Sequence, residues 1–136
     1  MIDKLIQIMR EQEKHLKQLS ELLEIQKDFI IEKDVFGLEG VVDKLNECSK
    51  KIAKEEVARR NLLNNGSLKE FVFNSNNDEL KATYMKISDT VIDVKNKKDT
   101  NDLLLKQQLI FTNKMLNIFN PTKEIKTYNS CGALKK

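Results

Sequence analysis

Residues 2–30 carry a heptad pattern of apolar residues, and this pattern limits the fold more than any other feature of the chain. One heptad position is apolar in every repeat: Ile2, Met9, Leu16, Leu23 and Ile30. The other alternates leucine with glutamine: Leu5, Gln12, Leu19 and Gln26. Such spacing, kept over the whole segment, predicts one long α-helix over about 2–31. Its narrow apolar stripe must pack against another helix, while the charged residues of the opposite face remain solvated.

A second long helix is expected over residues 35–63. Asp34 is a candidate cap for its first turn. Its inward positions are expected to be Leu38, Val41, Val42, Leu45, Cys48, Ile52, Val57 and Leu62. Gly37 and Gly40 each weaken a helix by about 1 kcal/mol relative to alanine. The start of this helix is therefore expected to be irregular.

Two further helices are expected over 67–73 and 78–119. The stop signal Asn64-Asn65-Gly66 favours the left-handed conformation that ends a helix, and Ser67 opens a capping box. The last helix resumes the apolar stripe at Leu80, Tyr84, Ile87, Val91 and Val94. Pro121 ends it. Residues 121–136 lack periodicity and are expected to form a flexible basic tail.

The predicted fold class is therefore all-α. We expect an elongated antiparallel bundle or coiled coil of three long helices and one short helix, forming a single domain over 1–120. Aromatic residues make up only 6% of the chain, with no Trp and one Pro. A composition poor in aromatics and helix breakers agrees with helices packed side by side.

The net charge of +3 does not indicate nucleic-acid binding, because the excess lies in the tail. Residues 121–136 hold four Lys against Glu124, which leaves 20 basic and 20 acidic residues in 1–120. Nucleic-acid binders instead carry a basic face within the folded domain. The folded part of this chain is neutral, so no nucleic-acid partner is expected.

The sequence also argues against an enzyme, a metalloprotein and a membrane protein. His15 is the only histidine, and it is expected to lie on a solvated helix face without a carboxylate or Cys cluster around it. Cys48 and Cys131 read as free thiols without metal-ligand spacing. No apolar run approaches the roughly 20 residues that cross a bilayer, and the charged residues 1–30 do not resemble a signal peptide. No catalytic residue and no cofactor is expected, and the expected location is the cytoplasm.

After Asn101 the apolar residues no longer keep to one face of the helix. They are Leu103, Leu104, Leu105, Leu109, Ile110, Phe111, Met115, Leu116, Ile118 and Phe119. A helix that is apolar over much of its circumference is covered on more than one side. This pattern suits a well-buried core helix, a homodimer seam, or a helix that recruits a partner. Asn101, Gln108 and Asn113 are polar positions within it, as in helices whose register is set by buried Asn.

The C-terminal third adds a more specific resemblance. Asn101 precedes Leu104-Leu105, then come Gln108, Asn113, Leu116 and Pro121, and the tail contains Tyr128 with Gly132 four residues later. With this third and the generic helical region before it, the chain resembles the FlgN family of flagellar export chaperones. The resemblance spans essentially the whole sequence.

The resemblance implies a cytoplasmic chaperone for hook-filament junction proteins, the subunits called FlgK and FlgL. Their helical C-termini would be bound, kept from premature assembly and handed to the export apparatus. Mapped here, the client-binding residues would be Leu104, Leu105, Gln108, Leu109, Phe111, Thr112, Met115, Leu116 and Phe119. Tyr128 and Gly132 would dock on the cytoplasmic domain of the export gate.

Two alternatives remain open at the level of sequence. The first is a structural coiled-coil adaptor that forms a homodimer and has no secreted client. The second is a chaperone for a different secreted substrate. The resemblance also allows the client-free chaperone to pair as a homodimer. A dimer alone therefore does not identify the adaptor, and client binding has to be measured as well.

Overall fold

The computed structural model describes residues 1–119, and these form four α-helices without any strand. The helices are α1 (Ile2–Glu32), α2 (Val35–Leu62), α3 (Leu68–Asn74) and α4 (Asp78–Phe119). The prediction of an all-α fold with three long helices and one short helix is confirmed. The chain divides into two compact units, residues 1–101 and 102–136. The first unit holds α1 to α3 and the beginning of α4.

A tight turn joins α1 to α2. Lys33 takes the left-handed conformation at a φ of 59°, and its N–H donates to the carbonyls of Ile30 and Phe29. Asp34 then caps α2 as expected, because its Oδ1 accepts a hydrogen bond from the Gly37 N–H at 2.9 Å. The turn reverses the chain, so α2 runs antiparallel to α1.

The predicted irregular start of α2 is wrong. The helix is regular from Val35. The packing of α1 on α2 explains why residue 37 is a glycine. A Cβ built on Gly37 would lie 2.6 Å from the ring of Phe29, so this residue has to be glycine for α1 and α2 to approach as they do. Gly40, by contrast, faces open space.

The main apolar core lies where the N-terminal half of α1 meets the C-terminal end of α2 and the first turn of α4. Its buried members are Leu5, Ile6, Met9, Leu63, Val72 and Leu80. The short helix α3 supplies Val72, which is fully buried, and it is capped by Ser67 as predicted. Phe71 packs against this core, whereas Phe73 is exposed and meets Tyr84 edge-to-face at 5.9 Å.

Three residues that the pattern placed inward are exposed. Val42, Val57 and Val91 each expose between 42% and 57% of their surface. In α2, burial is confined to Val41 and Cys48, with Leu45 and Ile52 half-buried. A helix that packs mainly along one neighbour covers only a narrow stripe, so the residues beside the stripe face solvent.

Hydrogen bonds between polar side chains connect α1 to the first part of α4. Ser20 is buried and donates to Asp93 Oδ2 at 2.7 Å, and Lys97 Nζ donates to Ser20 Oγ at 2.7 Å. The hydrogen bond from Ser20, together with Lys97, holds the pKa of the Asp93 carboxyl below its ordinary value. Further on, Asn101 bonds to α1 near Leu23, so the two segments run parallel.

Candidate functional site

Residues 102–119, the described part of the second unit, form the C-terminal portion of α4. The segment is rich in Leu and also contains Lys and Gln, all of which favour helices, and it contains neither Gly nor Pro. The residues predicted to bind a client therefore lie on one regular helix. Their angular positions follow from its repeat of about 100° per residue.

The nine predicted client-binding residues fall on one side of this helix. At about 100° per residue they occupy about 160° of the circumference. They are Leu104, Leu105, Gln108, Leu109, Phe111, Thr112, Met115, Leu116 and Phe119. Ile118 widens this surface by about 20° beside Phe111. The prediction missed Ile118, although its seven-residue spacing from Phe111 identifies it. We call these ten residues the apolar arc.

Most apolar side chains of the arc are exposed: Leu105, Leu109, Phe111, Met115, Leu116 and Ile118. Leu109 exposes 62% of its surface and Leu116 exposes 50%. Leu104 and Gln108 are half-buried, and Phe119 is the last residue of the helix. A contiguous apolar surface of this kind typically marks a site of protein association.

Helix geometry separates polar residues that the sequence pattern had grouped together. Gln108 and Thr112 lie inside the apolar arc, whereas Asn113 lies on the opposite side with Lys106 and Asn117. The arc therefore carries two hydrogen-bonding groups near its middle. Thr112 is exposed, so a partner helix that covers the arc has to satisfy its hydroxyl or leave it in contact with water.

Leu103 and Ile110 account for the apolar residues that did not fit one face. They lie seven residues apart and form a narrow second stripe, about 120° from Leu116. Ile110 exposes 47% of its surface, close to the value for Leu116. The second stripe holds only two residues and is much narrower than the apolar arc. Substitutions in this stripe can therefore serve as controls for substitutions in the arc.

Asn101, the polar residue that opens the family-like motif, belongs to the first unit. It is only 2% exposed, and its Nδ2 donates to the Leu23 carbonyl and to Gln26 Oε1, both at 2.9 Å. Its own Oδ1 is buried and has no hydrogen-bond partner within residues 1–119. These bonds fix the register of α4 against α1, in agreement with the register role considered for this residue.

The predicted gate-docking residues Tyr128 and Gly132 lie outside the described residues, as does Cys131. Cys48 is buried in α2, where its thiol donates to the His15 carbonyl at 3.1 Å. Burial raises the pKa of this thiol. A buried thiol that stays protonated is a poor nucleophile, so Cys48 has a packing role.

The expectation that His15 lies on a solvated face without carboxylates is wrong. The His15 and Glu55 side chains are only 15% and 16% exposed, and His15 Nδ1 lies 2.6 Å from Glu55 Oε2. Sequence reasoning missed this pair because its members are 40 residues apart. Only the register of α2 against α1 brings them together.

A second carboxylate on α2 is also engaged. Glu56 contacts Arg59, Arg60 and Gln12, the glutamine in the apolar stripe of α1. Burial opposes ionisation of Glu56, but hydrogen bonds from Arg59 and Gln12 outweigh it and hold the pKa of the carboxyl below its ordinary value. The carboxylate therefore stays charged and serves as a structural anchor between α1 and α2.

None of the helices within residues 1–119 combines the length and the apolar content that a membrane span requires. A comparison with protein families matches the chain over residues 1–136 to the family described as FlgN protein. No curated protein and no solved structure matches the chain significantly.

Proposed function

Because the chain belongs to the FlgN family, a family of flagellar export chaperones and not of enzymes, we propose that its client is a hook-filament junction protein. In this proposal the apolar arc binds the helical C-terminus of a FlgK- or FlgL-type subunit in the cytoplasm. Binding keeps that segment from assembling early and delivers it to the export gate.

The observation that carries the proposal is the exposure of the arc. A large apolar side chain that is about half exposed gains about 0.8–1.5 kcal/mol when it becomes fully buried. The six exposed apolar side chains of the arc therefore offer about 5–9 kcal/mol, and an amphipathic client helix offers a similar amount. Ordering costs of about 4–15 kcal/mol are subtracted. At the middle of these ranges the balance is about 4–5 kcal/mol, which corresponds to a dissociation constant slightly below about 1 mM and suits a client that has to be released for export.

The test is calorimetric titration of the full chain with C-terminal segments of hook-filament junction proteins from the same organism. We expect a saturable 1:1 isotherm with a negative heat-capacity change, because apolar surface is buried. Leu116→Asp should weaken binding at least about tenfold, since it places a charge in the buried contact. Ile110→Asp is the matched control: it makes the same change at nearly the same exposure on the other side of the helix, and it should leave the affinity within about twofold.

Three results would contradict the client-binding surface. Equal weakening by Leu116→Asp and Ile110→Asp would mean that the arc is not the contact. Loss of helicity in Leu116→Asp, measured by circular dichroism, would place Leu116 in a core. Absence of heat with every junction-protein segment would favour a different client, or the homodimeric adaptor if light scattering then shows a stable dimer that Leu116→Asp dissociates.

Docking on the cytoplasmic domain of the export gate is the second part of the proposal, and the family resemblance of the tail supports it. Tyr128→Ala should leave client affinity unchanged but reduce secretion of the junction proteins, whereas Tyr128→Phe retains the ring and should secrete normally. Normal secretion by Tyr128→Ala would refute the docking role.

A further inference from the structure

Three potential metal ligands converge where α1 packs on α2. Glu11 and His15 are one turn apart on α1, so they project from the same face, and Glu55 approaches from α2. One donor atom from each residue lies within 4.8 Å of the other two. The three residues belong to the first unit, and the proposed function does not use them.

The burial of Glu55 gives an independent reason to expect a cation here. Its Oε2 faces His15 Nδ1 at 2.6 Å, but its Oε1 is buried without a hydrogen-bond partner among residues 1–119. A buried carboxylate oxygen without a partner is costly. Coordination of a cation by both oxygens of the Glu55 carboxylate would satisfy Oε1, and Glu11 and His15 supply the other ligands that such an ion needs.

The donor set selects the class of ion. One imidazole nitrogen and two carboxylates suit a first-row transition metal such as Zn²⁺ better than Mg²⁺ or Ca²⁺, which prefer oxygen ligands alone. We propose that Glu11, His15 and Glu55 form a binding site for a divalent transition metal ion, with Zn²⁺ as the representative ion. The bound ion links the middle of α1 to α2.

The distances require only small movements. Ligand atoms about 2.1 Å from an ion lie about 3.0–3.4 Å apart in octahedral or tetrahedral geometry. The contact between His15 and Glu55 therefore opens by less than about 1 Å, and the exposed side chain of Glu11 swings inward. Water completes the coordination, as in sites with three protein ligands. The helix backbones stay in place.

The experiment exploits the fact that His15 is the only histidine of the chain. Its imidazole resonances are therefore a unique NMR signal, which Zn²⁺ bound to cysteines elsewhere does not report. In a titration of the full chain with ZnCl₂, these resonances should shift in a saturable 1:1 manner and return on addition of EDTA. MgCl₂ at the same concentration should not move them.

Two variants assign the ligands, and a third is the control. Loss of an outer-shell partner already costs about 10- to 100-fold in metal affinity, so Glu55→Gln and Glu11→Gln should each weaken Zn²⁺ binding at least about tenfold. Glu11 is exposed, so its replacement tests the site without disturbing the fold. Glu39→Gln, an exposed glutamate elsewhere on α2, is the control and should bind as the parent chain does.

A thermal measurement supplies a second readout. Because an ion that binds only the folded state stabilises it, ZnCl₂ should raise the unfolding midpoint of the parent chain and of Glu39→Gln, but not that of Glu11→Gln. The proposal is overturned if a tenfold excess of ZnCl₂ leaves the His15 resonances in place. It is equally overturned if Glu11→Gln and Glu55→Gln both bind Zn²⁺ with the parental affinity.

Discussion

Asn101 allows the sharpest test of how α4 is held against α1. The side chain is 2% exposed, and both hydrogens of its amide point at oxygens of α1, the Leu23 carbonyl and Gln26 Oε1. Replacing Asn101 by Asp preserves the shape but turns this donor into an acceptor. Two hydrogen bonds are lost, and a carboxylate then faces two oxygens that lie 2.9 Å from the native nitrogen.

The magnitude follows from these contacts. Two hydrogen bonds contribute about 1–3 kcal/mol together, and an uncompensated buried charge costs about 3–5 kcal/mol. The pKa of the new carboxyl should rise in the folded state, because burial and the neighbouring oxygens oppose its ionisation. Because a carboxyl that takes up a proton in the folded state avoids part of the charge cost, we expect Asn101→Asp to lower the free energy of unfolding by about 3–5 kcal/mol at pH 7.

The control is Asn101→Leu. This change also removes both hydrogen bonds, but it replaces the unpaired Oδ1 with apolar atoms, which recovers about 1–3 kcal/mol. Burial of the leucine adds about 1.5–3 kcal/mol, and fitting its larger side chain into this buried position costs about 1–3 kcal/mol. The leucine variant should therefore be as stable as the parent chain or slightly more stable, although its register is less firmly set.

The assay is urea unfolding of all three chains, followed by circular dichroism from pH 7 down to pH 4. A raised folded-state pKa makes the penalty of Asn101→Asp largest above that pKa, and the penalty shrinks as the pH falls and the carboxyl is protonated. A loss below about 1 kcal/mol at pH 7 would show that Asn101 is not buried between α1 and α4. Equal destabilisation by Asp and Leu would show that the loss of the two hydrogen bonds, which both variants share, and not the buried charge, sets the cost at this site.

Two glycines and one carboxylate provide further predictions. Gly40→Ala should raise the free energy of unfolding by about 0.5–1 kcal/mol, because its Cβ meets open space. Gly37→Ala should instead lower it by about 1 kcal/mol in the same urea titration, since the clash with the Phe29 ring outweighs the gain in helix propensity; stabilisation by both changes would refute the close packing at this turn. The pKa of Glu56 is lowered on folding, so its contribution is present above the ordinary value of about 4.5 and is lost as the pH falls through the folded value. Glu56→Gln should therefore destabilise the chain at pH 7 and differ less from the parent at pH 3, and a pH-independent difference would mean that the Arg59 contact does not form.

The parts of the fold that the sequence predicted depend on local chemistry. Asp34 and Ser67 cap helices where their side chains can reach N–H groups three residues ahead, and such caps are visible in any single sequence. The apolar stripe of α1 likewise follows from spacing alone. These features do not require knowledge of which helix packs on which.

The parts that the sequence did not predict depend on register between distant segments. One register of α2 against α1 produces two contacts. They are the contact of His15 with Glu55 and the approach of Phe29 to Gly37. A shift by one turn would separate both pairs. Likewise, Val42 and Val57 are exposed because α2 buries only a narrow stripe of its surface. A sequence pattern of apolar and polar residues does not show the width of that stripe.

The two parts of α4 differ in a way that bears on reversible binding. Up to Asn101 its inner face combines the fully buried Leu80 with polar contacts such as Ser20 with Asp93, whereas residues 102–118 expose large apolar side chains. Such exposure favours aggregation unless a partner covers it. Gln108 and Thr112 interrupt the apolar arc near its middle, and each lowers the gain from covering it, because a polar group has to keep a hydrogen-bonding partner. An arc of leucines alone would bind more tightly but would also pair with any apolar helix. In the function proposed above, this interruption lowers the affinity for a client and keeps its release possible.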